Sequence, residues 1–282
     1  MVLLVRYGEL ALKSRFVRRQ LEDRLATNVR EMFAANDVEC VLKVERGRLF
    51  VHAEDEADAL RLLRRVFGIV SISATKETAS ALETLTAHVV AYARNVLEPG
   101  KSFAIRPRRT GEQSYTSQDL ARVLGKAVQD AIPGVVVDLD DPDREIHVEV
   151  RGGRAYVFHE IVPGPGGLPL GSQGEVLAAV GDEAGMVATW LLMRRGCRAR
   201  VAGTEPYVAT LRKWDPRLEV GPLRAADELL GRVSHSGTFA IVSSEALEQN
   251  PLVSGDASLR LRPLLGLSDV EMHALSERIR DA

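Results

Sequence analysis

The apolar residues of the first 160 positions alternate between the period of a strand and that of a helix. Residues 2–6, VLLVR, form a short apolar run that stops at Tyr7-Gly8-Glu9 and predicts a strand. From Arg15 to about Ala35, Phe16, Leu21, Leu25, Val29, Met32 and Phe33 fall on one helical face, with charges over most of the rest. Val38–Val44 and Leu49–Ala53 flank the turn Glu45-Arg46-Gly47-Arg48 and read as a hairpin. Asp55 opens a second helix, through Leu60, Leu62 and Leu63 to about Val66, and Ile69–Ser73 is the next strand. The order β-α-β-β-α-β predicts a ferredoxin-like unit within residues 1–75.

A second unit begins near Thr78. Its pattern predicts a helix over 82–97, a strand at Ser102–Arg106 and a helix over Ser117–Ala131 capped by Thr116 or Ser117. A strand at Val135–Leu139 follows. Glu145–Arg151 and Arg154–Ile161 then form a hairpin around Gly152-Gly153. Pro163-Gly164-Pro165-Gly166-Gly167 reads as a linker. Beyond it come a strand at Glu175–Val180, a tight turn, an amphipathic helix ending at Gly196 and a strand at Arg198–Ala202. A helix over Arg224–Arg232, a strand at Thr238–Ser243, irregular chain over 245–258, an extended segment at Arg260–Leu264 and a helix from Ser268 through Ile279 complete the reading. The fold class is therefore α/β, with an α+β N-terminal half and a small parallel α/β layer at the end. The parts divide at 1–75, 76–165 and 166–282.

Composition narrows the function classes. The 282 residues are 45% hydrophobic and 27% charged, as in a globular protein. No apolar run approaches the roughly 18 residues that span a bilayer, and Arg6 and Glu9 come too early for a signal peptide. The expectation is a cytoplasmic protein with no membrane partner. Its 37 basic and 39 acidic residues give a net charge of −2, so any nucleic-acid surface must be a local patch. Cys40 and Cys197 lack metal or disulfide spacing, and both are expected to be small buried residues beside strands. The six histidines are scattered, with His147 and His159 expected as cross-strand neighbours. Asp138, Asp140, Asp141 and Asp143 read as a turn around Pro142 rather than a metal loop. No metal site is expected.

Two basic clusters stand out. The first is Arg6, Lys13, Arg15, Arg18 and Arg19, opposed only by Glu9. The second is Lys101, Arg106, Arg108 and Arg109, near Phe103 and Tyr115, with Arg122 and Lys126 able to extend it. Guanidinium groups on an extended segment suit phosphate contacts because each presents paired rigid donors. A solvated helix start for the first cluster, and a surface loop for the second, are the bland alternatives. The strand–turn–helix at 175–196 has the geometry of a phosphate cradle. Its turn, Gly181-Asp182-Glu183-Ala184-Gly185, carries carboxylates where an anion would sit.

The segments RYGELALKSRFVRRQLEDRLATNVR, RVFGIVSIS, FAIRPRRTG, YTSQDLARVLG, DPDREIHVEVRGGRAYVF, GPGGLPLGSQGEVL, WLLMRRG, SSEALEQ and LRLRPLLGLSDVEM occur in that order. In that order the sequence resembles the tRNA 4-thiouridine synthetase (ThiI-type tRNA sulfurtransferase) family over nearly its whole length. The resemblance implies a ferredoxin-like domain, a THUMP domain that engages the 3′ end of tRNA, and an adenylating PP-loop domain. The family's Ser-Gly-Gly-x-Asp-Ser loop falls on Val180, Gly181, Asp182, Glu183, Ala184 and Gly185, of which only the first glycine matches. Ser243-Ser244-Glu245-Ala246 stands in place of a Thr-Gly-Glu-Ser-like loop. The resemblance puts the family's catalytic cysteine beyond Ala282, and the sequence contains no rhodanese-like segment, so no catalytic residue is expected.

Two function classes follow. The first is a tRNA-binding protein that holds the acceptor end through Lys13, Arg15, Arg18, Arg19, Lys101, Arg106, Arg108, Arg109, Arg122 and Lys126. Its degenerate α/β part would be a scaffold, a dimer surface or a dock for a separate tRNA-modifying enzyme, with no cofactor. The second is an ATP-dependent tRNA sulfurtransferase or adenylating enzyme with altered phosphate contacts. Only that reading requires ATP.

Overall fold

The computed structural model describes residues 2–8, 14–45, 47–221, 240–242 and 259–281. Lys13, the helix expected over Arg224–Arg232, the segment 245–258 and the Ser243–Ala246 loop lie outside these residues. The first elements are β1 (Val2–Tyr7), α1 (Arg15–Ala34), β2 (Cys40–Glu45), β3 (Arg48–Ala53), α2 (Glu56–Leu63) and β4 (Ile69–Ala79), in the β-α-β-β-α-β order. Ser14 caps α1 by accepting the Val17 N–H, and Asp55 caps α2 by accepting that of Asp58. The strand order is β2-β3-β1-β4, with β2 and β3 antiparallel from Cys40 opposite Ala53 to Glu45 opposite Arg48.

The chain divides into two compact units, residues 1–4 with 73–162 and residues 5–72 with 163–282. The first unit adds α3 (Leu82–Val96), β5 (Ser102–Thr110), α4 (Ser117–Ala131), β6 (Val136–Val137), β7 (Arg144–Arg151) and β8 (Arg154–Phe158). Its strands lie in the order β4-β8-β7-β5-β6. Leu85 and Val89 of α3 and Leu120, Leu124 and Val128 of α4 pack on Phe103, Ile105, Ile146, Val148 and Val150. Thr116 and Asp119 cap α4 reciprocally, each side chain accepting the other's backbone N–H.

Several boundaries differ from the sequence reading. β4 runs past the expected Ser73 to Ala79, pairing with β8 from Lys76 to Ala79. β5 continues through Pro107 to Thr110 because β7 pairs with it as far as Thr110, whereas β6 pairs with it only at Ser102 and Phe103. Beyond Phe103 no strand among the described residues pairs with the other side of β5, and an edge position tolerates the missing proline N–H. The strand expected over Val135–Leu139 shrinks to two residues, since Asp138 Oδ1 accepts the N–H groups of Asp140 and Asp141 and turns the chain away. β8 ends at Phe158, which pairs with His147 and stacks on it at 5.0 Å. His159 therefore falls one position past the expected cross-strand pair and meets the Tyr92 hydroxyl at 2.6 Å instead.

After β9 (Val162–Pro163), which pairs with β4, the second unit continues with β10 (Glu175–Val180), α5 (Glu183–Arg194), β11 (Arg198–Gly203), α6 (Tyr207–Arg212), β12 (Glu219–Gly221), β13 (Ala240–Val242), β14 (Leu259–Leu261) and α7 (Asp269–Asp281). The sheet is parallel throughout, in the order β12-β11-β10-β13-β14. Helix α6 and strand β12 are too short to give a readable period in the sequence. Ser268 and Glu271 box the start of α7. Cys197 is buried and Cys40 only half-buried, at the start of β2. Burial pushes both thiols up.

The core of this α/β part contains Phe67, from the turn between α2 and β4. Its ring stacks on Trp214 at 5.2 Å and meets Trp190 edge-on at 5.5 Å, while the two tryptophans form a T at 5.2 Å. Around it, the Asn28 side chain donates to Leu170 O, and Glu31 of α1 accepts from both Arg198 and Arg217.

The segment read as a linker is packed rather than loose. Gly164 and Gly166 donate to the carbonyls of Val70 and Ile69, and Gly68 donates to that of Gly166. Leu168 N–H donates to Arg194 O at 3.0 Å. A Cβ on Gly164 would overlap Ile69 O, and one on Gly167 (φ +77°) would overlap Arg194 O. Both the close approach and the left-handed backbone demand glycine at 167. Gly167→Ala is expected to destabilise the protein by about 3 kcal/mol or more. Gly47→Ala has a similar positive φ of 82° but open space around its Cβ, and is expected to cost only about 1 kcal/mol. Urea unfolding of both variants checks the difference.

Candidate functional site

The basic segment of the first unit is strand, not loop, and β5 runs parallel to β7. Their register sets Arg106 beside His147 and Arg108 beside Glu149. Because side chains alternate along a strand, Arg106 and Arg108 share one face and Arg109 takes the other. Arg106 and Arg108 line a cleft of about 470 Å³, with Ser117, Gln118, Glu145 and His147 around it. These last four are absent from the sequence-derived site. The parallel β5–β7 register that gathers Glu145 and His147 joins strands about 40 residues apart, and no local pattern records it.

The cations in this unit are not equally available. Arg106 Nε donates to Glu145 Oε1 at 2.6 Å, and its Nη2 donates to Leu139 O. Lys101 is held by Asp143 at 3.1 Å, Arg122 by Asp119 at 3.1 Å and Lys126 by Asp130 at 2.9 Å. Arg109 is exposed and donates at 3.4 Å to the neutral Gln113 Oε1. Arg108 is exposed and has no carboxylate partner among the described residues. An anion arriving in the cleft therefore finds Arg108 ready, and the opposite face of β5 offers Arg109. The others sit in exposed pairs worth little individually, which a polyanion could exchange.

At the start of α1, Arg15 and Arg19 are exposed and have no carboxylate partner among the described residues. Arg18 lies 3.9 Å from Glu22. Lys13 lies outside the described residues.

The strand–turn–helix places Val180 at the end of β10, Gly181 and Asp182 in the turn, and Glu183, Ala184 and Gly185 in the first turn of α5. Asp182 is the N-cap, and its Oδ1 accepts the Gly185 N–H at 2.7 Å. Glu183 Oε1 accepts from the Ser276 hydroxyl at 2.5 Å and from Arg280 at 2.8 Å, both on α7. The Ser276 hydrogen bond, with Arg280 and His273 nearby, holds the Glu183 carboxyl below the usual carboxylate range. A Cβ on Gly185 would come within 2.7 Å of Ala179 O, so that glycine serves close packing of helix on strand. A triphosphate would meet one N–H already taken by a side-chain carboxylate and a second ionised carboxylate beside it. Both carboxylates carry the charge of a triphosphate and would repel it at close range.

Comparison with known proteins gives these features a frame. The ThiI ferredoxin-like domain model matches residues 2–73 and the THUMP domain model matches residues 79–160. A probable tRNA sulfurtransferase of Methanothermobacter thermautotrophicus is 40% identical over 70% of this chain and 51% of its own length. A tRNA sulfurtransferase of Thermoplasma acidophilum is 30% identical over 98% of this chain and 66% of its own. The chain thus spans about half the length of the first of these relatives. The crystal structure of PH1313 from Pyrococcus horikoshii superimposes with a TM-score of 0.84 and 25% identity, covering 99% of both chains. A 4-thiouridine synthetase–RNA complex with bound ATP shares the fold, with a TM-score of 0.80, 20% identity, and 99% and 84% of the two chains covered.

Asp143 ties the start of β5 to that of β7. Its carboxylate accepts from the Ser102 N–H and hydroxyl and from Lys101. These bonds, the Ser102 backbone N–H foremost, bring its carboxyl down to about 2. A depressed carboxyl stabilises the fold above its unfolded value of about 4 and loses that contribution as pH falls through the folded value. Wild type is therefore expected to melt higher than Asp143→Asn above about pH 5, with the gap closing towards about pH 2. Thermal melts across that range check it.

Proposed function

Because the chain belongs to the ThiI-type tRNA sulfurtransferase family, we propose that it binds tRNA, holding the acceptor end through its ferredoxin-like and THUMP domains, without adenylating it. The single observation that carries the second half of this reading is the Asp182 carboxylate on the Gly185 N–H at 2.7 Å. The donor that a phosphate would need is taken by a group of the same charge. The α/β part then serves as a scaffold, a dimer surface or a dock for a separate modifying enzyme.

The tRNA half is supported by the THUMP match over 79–160 and by the exposed Arg108 and Arg109 on β5. Arg15 and Arg19 at the start of α1 offer a second set of available cations. Phosphate contacts of this kind supply affinity and position without reading sequence.

A catalytic reading is favoured by one observation, the Thermoplasma acidophilum tRNA sulfurtransferase that aligns with 98% of this chain. Pyrophosphate release separates the two. The binding reading expects none above background with ATP and tRNA together, and ATP-dependent, tRNA-stimulated release would sink it.

Filter binding with tRNA is expected to show a Kd weakened about tenfold or more by the double substitution Arg108→Ala and Arg109→Ala. The slope of log K against log salt is expected to become shallower by about 2, one for each lost phosphate contact. Unchanged affinity and an unchanged slope would remove both side chains from the interface.

A further inference from the structure

A second cleft, of about 540 Å³, lies in the unit formed by residues 5–72 and 163–282. It is lined by Arg64 at the end of α2, Pro165, Trp190 and Arg194 of α5, Trp214, and one face of α7 with Glu277, Arg278 and Asp281. Arg194 lies roughly 17 Å along the helix axis from Glu183, given a rise of about 1.5 Å per residue. The cleft is therefore at the far end of α5 from the strand–helix turn, and no residue of that turn lines it.

Three guanidinium groups from three separate elements line this cleft. Arg194 is fixed in place: its Nε donates to Pro165 O at 2.8 Å and its guanidinium lies 5.8 Å from the centre of the Trp190 ring. Arg64 and Arg278 are exposed and have no carboxylate partner among the described residues. Trp190 is 2% exposed, and its indole N–H is buried with no hydrogen-bond acceptor among the described residues. Glu277 and Asp281 stand one helical turn apart on α7, and Glu277 Oε1 lies 3.6 Å from His273. The cleft thus offers charged donors as well as carboxylate acceptors. A simple inorganic anion satisfies only the first. A phosphate ester that also carries hydroxyl or amino donors satisfies both, and the volume suits a ligand of nucleotide size.

We propose that this cleft binds a nucleoside monophosphate unit, with the phosphate on Arg64, Arg194 and Arg278 and the hydroxyl or amino donors on Glu277 and Asp281. The unit is either a free nucleotide or one nucleotide of an RNA chain. The site is separate from the β5 surface and from the turn at Asp182, and it stands whether or not the chain binds tRNA through its THUMP domain.

The protein carries its own reporter. Its two tryptophans, Trp190 and Trp214, both line this cleft, so intrinsic tryptophan emission reads it directly. The full chain is titrated in parallel with AMP, with inorganic phosphate and with a short single-stranded RNA. A saturable change in emission is expected with AMP or with the RNA, and its Kd is expected to weaken about tenfold or more in the double variant Arg64→Gln, Arg278→Gln, a loss of about 1.4 kcal/mol. A response to AMP identifies a free nucleotide, and a response to RNA alone identifies a nucleotide within a chain. The same saturation by inorganic phosphate as by AMP would overturn the assignment, as would no saturable response or one that survives the double variant. Both substituted side chains are exposed, and an unchanged far-UV spectrum of the variant excludes misfolding as the cause.

Discussion

The burial of Phe67 is the contact on which the larger unit depends. A residue from the turn between two ferredoxin-like elements sits in the core of the parallel α/β part, stacked on Trp214 and edge-on to Trp190. Truncating a buried phenylalanine to alanine costs roughly 3–5 kcal/mol, whereas partly exposed ion pairs contribute about 1 kcal/mol or less each. The bonds from Arg198 and Arg217 to Glu31 therefore orient α1 but do not hold it in place. Asp215 shows the cost of polar burial nearby: it is 1% exposed, and desolvation pushes its carboxyl up despite Arg198 at 3.5 Å.

How much of this was legible in the sequence depended on distance along the chain. Long elements with clear periods appear where their apolar positions put them, as α1 and α4 show, and so do the caps at Asp55, Thr116 and Ser268. The β2–β3 hairpin is equally local. What escaped was set by partners far away. Pro107 sits in a strand because β7 pairs along one side of it, and β6 on the other has already ended. The proline- and glycine-rich segment after β9 has the composition of a linker, and its glycines are there because Ile69 O and Arg194 O leave no room for a Cβ. Composition reports that a backbone position is unusual; it does not say whether the cause is freedom or crowding.

The candidate surface was legible as charge and not as availability. Lys101, Arg106, Arg122 and Lys126 all contribute to a basic stretch of sequence, yet each meets a carboxylate in the fold. Two of these pairs, Arg122–Asp119 and Lys126–Asp130, are local helix pairs that spacing alone predicts. The other two depend on the parallel pairing of β5 with β7. With those cations paired, the unneutralised positive charge of the basic stretch in this chain of net charge −2 is confined to Arg108 on one face of β5 and Arg109 on the other.

Asp182 has a consequence for how the protein responds to its surroundings. A helix start left open for a phosphate draws part of its stability from whatever phosphate is present, so its melting shifts with ligand concentration by mass action. Helix α5 carries a counter-anion within its own sequence, one residue before its first turn. The Gly185 N–H of that start is satisfied as soon as the chain folds, and needs no phosphate to complete it.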